Sequence, residues 1–103
     1  MEQSSIRTYR LRGSRITGPQ QSALDKYWGA YGIEYSTEFL NITSLFPTAE
    51  QVVLEIGFGM GEATALIARD FPNTGYLAVE VHKPGIGKLM ARVEDLGLAN
   101  IRI

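Results

Sequence analysis

The sequence predicts an α/β fold built on a parallel sheet. Three observations carry that prediction. Residues 51–103 alternate strand-like and helix-like segments in the order β-α-β-α-β, which demands crossover connections between parallel strands. A glycine-rich turn joins the first strand to the helix that follows it. An acidic residue, Glu80, sits near the end of the second strand, where open α/β sheets gather their ligands.

Each element follows from local pattern. Val52-Val53-Leu54-Glu55-Ile56 is a short, β-branched apolar run, as a buried parallel strand carries. Gly57-Phe58-Gly59-Met60-Gly61 is the turn, and Glu62 to Asp70 reads as a helix ended near Phe71-Pro72. Its expected inward residues are Ala63, Leu66 and Ile67. Tyr76 to Val81 is the second strand. Pro84 to Leu96 is a second helix with Ile86, Leu89, Met90 and Val93 on one face, stopped by Gly97. Asn100 to Ile103 begins a third strand.

Ahead of this unit, residues 1–16 lack periodicity and read as an extended basic arm. A helix is expected from Thr17: Thr17 caps it, Gln20 completes a capping box, Pro19 suits the first turn, and Gly32 ends it. Ala23, Leu24, Tyr27, Trp28 and Tyr31 recur at helical spacing, so Trp28 and Tyr31 belong to the core rather than to a base-stacking surface. Ile33 to Phe46 has no clear period beyond room for a short helical turn, and Pro47 closes it. The expected division is therefore an N-terminal arm and helical extension over 1–50 and a ligand-binding unit over 51–103. Three short strands cannot cover both faces of an open sheet, so 51–103 is expected to be the first half of a larger domain.

Composition narrows the function classes. With 45% apolar and 20% charged residues the chain is an ordinary globular protein. It has no cysteine and one histidine, which removes disulfides, thiolate metal sites and any histidine cluster. The polar opening Met1–Ser5 holds no apolar signal core, and no run is long enough to span a membrane, so a cytoplasmic protein is expected. Net charge is −1 but uneven: Arg7, Arg10, Arg12 and Arg15 oppose only Glu2 in the first 24 residues. Together with Tyr9, this arm has the makings of a grip on RNA phosphates or of a solvated tail.

The turn carries the chemistry. Alternate glycines let the chain reverse sharply and bring a ligand against bare backbone. A dinucleotide fingerprint requires glycine at position 62, where this chain has Glu62. Glu55 and Glu62 also set negative charge around the turn, which opposes a pyrophosphate. S-adenosylmethionine carries an amino group, a sulfonium and ribose hydroxyls, all suited to carboxylate or backbone acceptors. Glu80 is placed to accept from both ribose hydroxyls. The pattern favours S-adenosylmethionine over a nicotinamide dinucleotide; an oxidoreductase domain and a non-catalytic binding module remain as rivals.

Two stretches, Leu54 to Glu62 and Glu80-Val81-His82-Lys83-Pro84-Gly85-Ile86-Gly87, resemble the signatures of bacterial tRNA (guanine-N(7)-)-methyltransferases. Arg10 to Thr17, with Gln20-Gln21 and Tyr31-Gly32, is similar to that family's N-terminal stretch. Position 83 is Lys where the family often has Arg. The resemblance implies a Rossmann-like class I S-adenosylmethionine-dependent methyltransferase fold, a tRNA substrate, and methyl transfer to guanine N(7). The implied cofactor contacts are Glu55 and Glu80 with the turn residues Gly57, Phe58, Gly59 and Gly61. Val81 and His82, which follow Glu80, are candidates beside them. The family's catalytic aspartate lies beyond position 103, so no catalytic residue is assigned and these residues alone are expected to be inactive.

Overall fold

The computed structural model describes residues 15–103. Arg7, Tyr9, Arg10 and Arg12 of the basic arm lie outside the described residues. Helix α1, Gly18–Tyr31, starts as its sequence dictates. The Thr17 hydroxyl accepts from the Gln20 amide at 3.3 Å, and the Gln20 side chain accepts from the Thr17 amide at 3.0 Å. Gly32 ends the helix, though not through a left-handed turn: its φ is −83°. Glycine is needed there because a Cβ would lie 2.2 Å from the Trp28 indole. The stretch beyond it holds one short turn, α2, Ile42–Leu45, capped by the Asn41 side chain at the Ser44 amide.

The remaining elements are β1 Gln51–Ile56, α3 Glu62–Asp70, β2 Thr74–Val79, α4 Lys83–Leu96 and β3 Ile101–Arg102. The strands form one parallel sheet in the order β1-β2-β3. Pairing runs from Gln51 with Thr74 to Ile56 with Val79, and from Tyr76 with Ile101 to Leu77 with Arg102. β2 starts and ends two residues earlier than Tyr76–Val81. Pairing stops at Val79, and the Glu80 carboxylate then binds the Val81 and His82 amides and turns the chain out of the sheet.

Side chains alternate across the sheet, and the register sorts them. Val53, Glu55, Tyr76, Ala78 and Ile101 share the face that α3 and α4 cover. Leu89, Met90 and Val93 of α4 are fully buried there, as their spacing predicts. Leu24, Tyr27, Trp28 and Tyr31 of α1 pack on the same cluster. Gly97 ends α4 in the left-handed region, φ +65°. Asn100 pins the return to β3, its Nδ2 donating toward the carbonyls of Ala68, Phe71 and Thr74. Val52, Leu54, Ile56, Gly75, Leu77 and Val79 form the opposite face. Phe46 lies against Gly75 at one end of it and is buried.

Helix α3 corrects its expected orientation. It buries Thr64, Ala65 and Ala68, while Ala63, Leu66 and Ile67 face outward. The small side chains let the helix lie close against the α4 core, and bulk is left on the outer side. Size complementarity at the helix crossing, rather than hydrophobicity alone, sets which stripe goes in.

Candidate functional site

The turn between β1 and α3 is held open by three left-handed glycines: φ is +77° at Gly57, +66° at Gly59 and +78° at Gly61. Side chains are strained in that region. Their surroundings differ. A Cβ at Gly61 would lie 2.6 Å from Leu89, so Gly61 serves packing, whereas one at Gly57 or Gly59 would meet nothing within 4 Å. Bare backbone there faces open space.

Glu80 closes the turn from the neighbouring strand. One carboxylate oxygen accepts from the Gly59 amide at 2.7 Å; the other accepts from the amides of Val81 and His82 at 3.1 and 3.2 Å. A carboxylate offers about four acceptor sites, so capacity remains for a ligand hydroxyl. The start of α4 presses on the same turn. A Cβ at Gly85 would fall 1.8 Å from the Gly59 carbonyl oxygen, and one at Gly87 would fall 2.4 Å from the Gln20 carbonyl oxygen. The Pro84-Gly85-Ile86-Gly87 stretch thus brings three backbones together: turn, α4 and α1.

A cavity of about 450 Å³ opens beside Glu80. Leu77, Val79, Val81, Ile86 and Ile103 form its inner side, and Trp28 with Ile33, Glu34, Tyr35, Ser36, Glu38 and Leu40 forms its outer side. The chain after α1 is tied there by the Ile33 amide donating to the Ile103 carbonyl at 2.7 Å and the Ile103 amide donating to the Tyr31 carbonyl at 2.9 Å. The Trp28 indole N–H donates to the Glu34 carboxylate. Behind this wall the Tyr31 hydroxyl donates to Glu94 at 2.7 Å. Donation to the Glu94 carboxylate favours the neutral phenol and raises the Tyr31 pKa, with desolvation adding to the effect.

The expected contacts separate into groups. Gly57 and Gly59 line the open turn, and Glu80 and Val81 stand at the cavity. Glu55, before the turn at the end of β1, accepts from the buried Thr64 hydroxyl at 2.6 Å through one carboxylate oxygen and lines a hollow with Val53, Ile56, Ile67 and Tyr76. The Phe58 side chain is in the core, so only its backbone belongs to the turn. His82 is the N-cap of α4 but makes no side-chain cap bond. Among the described residues no group of three or more His, Cys, Asp or Glu could hold a metal, and no helix is long and apolar enough to cross a membrane. The sequence did not announce Thr64 or the 33–40 wall, because both arise from contacts that no local spacing encodes.

Comparison with known proteins meets this geometry. A family model described as "Putative methyltransferase" matches residues 49–103, which include the glycine turn and Glu80. The chain is 46% identical over 99 residues to a tRNA (guanine-N(7)-)-methyltransferase of Neisseria meningitidis, covering 96% of this chain and 42% of the relative. It is 48% identical over 98 residues to one of Streptomyces avermitilis, covering 95% and 34%. With one of Pectobacterium atrosepticum the identity is 43%, covering 95% and 41%. The chain thus spans less than half the length of these curated relatives. With the family model spanning the turn and both strands that frame it, the chain belongs to this methyltransferase family.

Proposed function

We propose that residues 51–103 bind S-adenosylmethionine and that the whole protein transfers its methyl group to N7 of guanine in tRNA. The observation that carries the cofactor is the Glu80 carboxylate, fixed by the Gly59 amide at 2.7 Å beside a turn whose glycines face open space. Glu80 would accept from the ribose hydroxyls, and the Gly57–Gly59 backbone would lie against the amino-acid portion. Glu55, engaged with Thr64, would act on the turn by bracing α3. When bound, the cofactor supplies an electrophilic methyl group on a sulfonium. Guanine N7 carries a free lone pair, so the protein's task is alignment and electrostatic support rather than removal of a proton.

The names of the relatives support the tRNA substrate. The arm would grip RNA phosphates through Arg7, Arg10, Arg12 and Arg15, the first three outside the described residues. Replacing these four by Ala should flatten the salt dependence of tRNA binding, by a slope of about 0.9 for each phosphate no longer neutralised.

Calorimetry tests the cofactor. Glu80→Ala should weaken S-adenosylmethionine binding by about 1.5–3 kcal/mol, the scale for hydrogen bonds to a charged group. Unchanged affinity, or tight NAD binding by the parent, rejects the reading. Methyl transfer by the protein at its relatives' length, onto tRNA carrying guanine or 7-deazaguanine, tests the acceptor atom. Incorporation into the deaza base, which has no N7, rejects it.

A further inference from the structure

We infer that Thr64 is a positioning residue for cofactor binding. Its hydroxyl fixes the Glu55 carboxylate, so that the acceptor sites left on that carboxylate meet the ammonium group of the cofactor's amino-acid portion. The inference rests on the proposed binding of S-adenosylmethionine at the glycine turn and adds a residue of α3 to it.

A hydroxyl at position 64 needs a reason. The stripe that α3 buries is Thr64, Ala65 and Ala68, and its two alanines show that the crossing asks for small apolar side chains. Threonine is a poorer helix former than alanine. At 2% exposure its hydroxyl is cut off from water, which costs stability unless the group is bonded. Within a helix the usual partner is the carbonyl one turn back. Thr64 instead donates across to Glu55 Oε1 on β1 at 2.6 Å, the short length of a hydrogen bond to an ionised oxygen. The hydroxyl serves the carboxylate, not its own helix.

Glu55 has reason to be held. It stands two residues before Gly57, and the pairing of Glu55 with Ala78 places its backbone in the sheet. Among the described residues, Thr64 alone hydrogen-bonds the flexible side chain beyond. A carboxylate offers about four acceptor sites, and this bond uses one. Among the described residues no other charged side chain lines the hollow beside it, so no cation there offsets its charge. The remaining sites therefore favour a positively charged donor and oppose a carboxylate or phosphate. The ammonium of the amino-acid portion is such a donor. Glu80 is prepared in the same way across the turn, by three backbone amides. A group already held in its binding position loses less freedom when the ligand arrives.

Calorimetry on the protein at its relatives' length tests this with two ligands that differ only in the amino-acid portion. S-adenosylhomocysteine carries the ammonium, and 5′-methylthioadenosine does not. Thr64→Val keeps the branched shape without the hydroxyl. It should weaken S-adenosylhomocysteine about tenfold, a difference of about 1.4 kcal/mol, and leave 5′-methylthioadenosine within about twofold of the parent. Thr64→Ser restores the donor and should hold both ligands within about threefold of the parent. Glu55→Gln should weaken S-adenosylhomocysteine at least as much as Thr64→Val does. Adding Thr64→Val to Glu55→Gln should then cost less than about twofold more, because Thr64 acts through that carboxylate. Equal weakening of both ligands by Thr64→Val, the mark of a merely structural role, overturns the inference and spares the cofactor reading. So does Thr64→Val at parent affinity, or Thr64→Ser as weak as Thr64→Val. A parent protein that binds neither ligand overturns both.

Discussion

The face of the sheet under α3 and α4 mixes Val53, Glu55, Tyr76, Ala78 and Ile101, whereas on β1 and β2 the opposite face is aliphatic apart from Gly75. Yet it is the mixed face that forms the core. On one face Tyr76, Ala78 and Ile101 disappear beneath α4, whose Leu89, Met90 and Val93 are fully buried. On the other, Leu77 is buried and Phe46 covers the end near Gly75, but Leu54 and Ile56 on β1 remain 56% and 75% exposed. Apolar content of the strands does not decide which face is covered. The difference lies in what crosses each face. The covered side has glycines at 61, 85 and 87 where neighbouring elements touch, and alanines at 65 and 68 that let α3 settle. Close approach, more than apolar content, makes a core dense enough to exclude water.

The sharpest way to break the comparison is Gly85→Ala. The added carbon would fall 1.8 Å from the Gly59 carbonyl oxygen, a backbone atom with no rotamer to yield. Overpacking costs typically about 1–3 kcal/mol; with a rigid neighbour we expect about 4 kcal/mol or failure to fold. Urea unfolding measures it, and a decrease below about 1 kcal/mol would show that α4 and the turn do not touch.

A matched pair comes next. Leu89→Ala should cost about 3 kcal/mol, because a fully buried leucine leaves a cavity. Leu54→Ala, on the open face, should cost less than about 1 kcal/mol. Equal costs in thermal melts would mean that both faces are packed in solution.

How much of this is legible in the sequence depends on the range of the interaction. The Thr17–Gln20 capping box, the Gly97 stop and the inward stripe of α4 are local patterns, and each stands where the spacing puts it. So does the order of strands and helices. Apolar spacing misjudges the α3 face because Leu66 and Ile67 are more apolar than Ala65 and Ala68, whereas the crossing selects for small size. Composition sets the end of β2 two residues late because apolar Val81 continues the strand's pattern, and only the Glu80 carboxylate's capture of the following amides ends it. Glycine turn and acid are visible at the site. The Glu55–Thr64 bond and the 33–40 wall are not, since both depend on pairings between separate elements.

Tyr31 offers a smaller effect with a distinctive pH signature. Its hydroxyl joins α1 to α4 through Glu94, and Tyr31→Phe should cost at most about 1 kcal/mol near neutral pH. The folded phenol has its pKa raised above the ordinary 10.0, so the folded state favours the protonated form. Its contribution is fully present below pH 10.0 and is lost as pH rises through the raised value. The gap in stability between parent and Tyr31→Phe should therefore narrow in alkali. A gap that is constant across the titration would mean that the Glu94 bond does not form.

The smallest stability change is expected at Ile56, where the contrast between the faces meets the outer edge of the sheet. β1 pairs only with β2 among the described residues, so its other edge presents unpaired backbone. On that edge strand Leu54 and Ile56 are exposed. An apolar face next to an open edge favours pairing between molecules. Ile56→Lys leaves the pairing with Val79 intact and replaces an aliphatic side chain that is already 75% exposed. It gives up some β propensity, a few tenths of a kcal/mol, and removes little burial. We expect a melt within about 0.5 kcal/mol of the parent, together with a clear rise in the concentration at which light scattering detects association, since charge on an edge strand opposes pairing. The two readouts must move apart for the comparison to hold. Should Ile56→Lys destabilise the folded chain by more than about 1 kcal/mol, a cost reserved for buried positions, then Ile56 is packed in the folded state and the second face is not open.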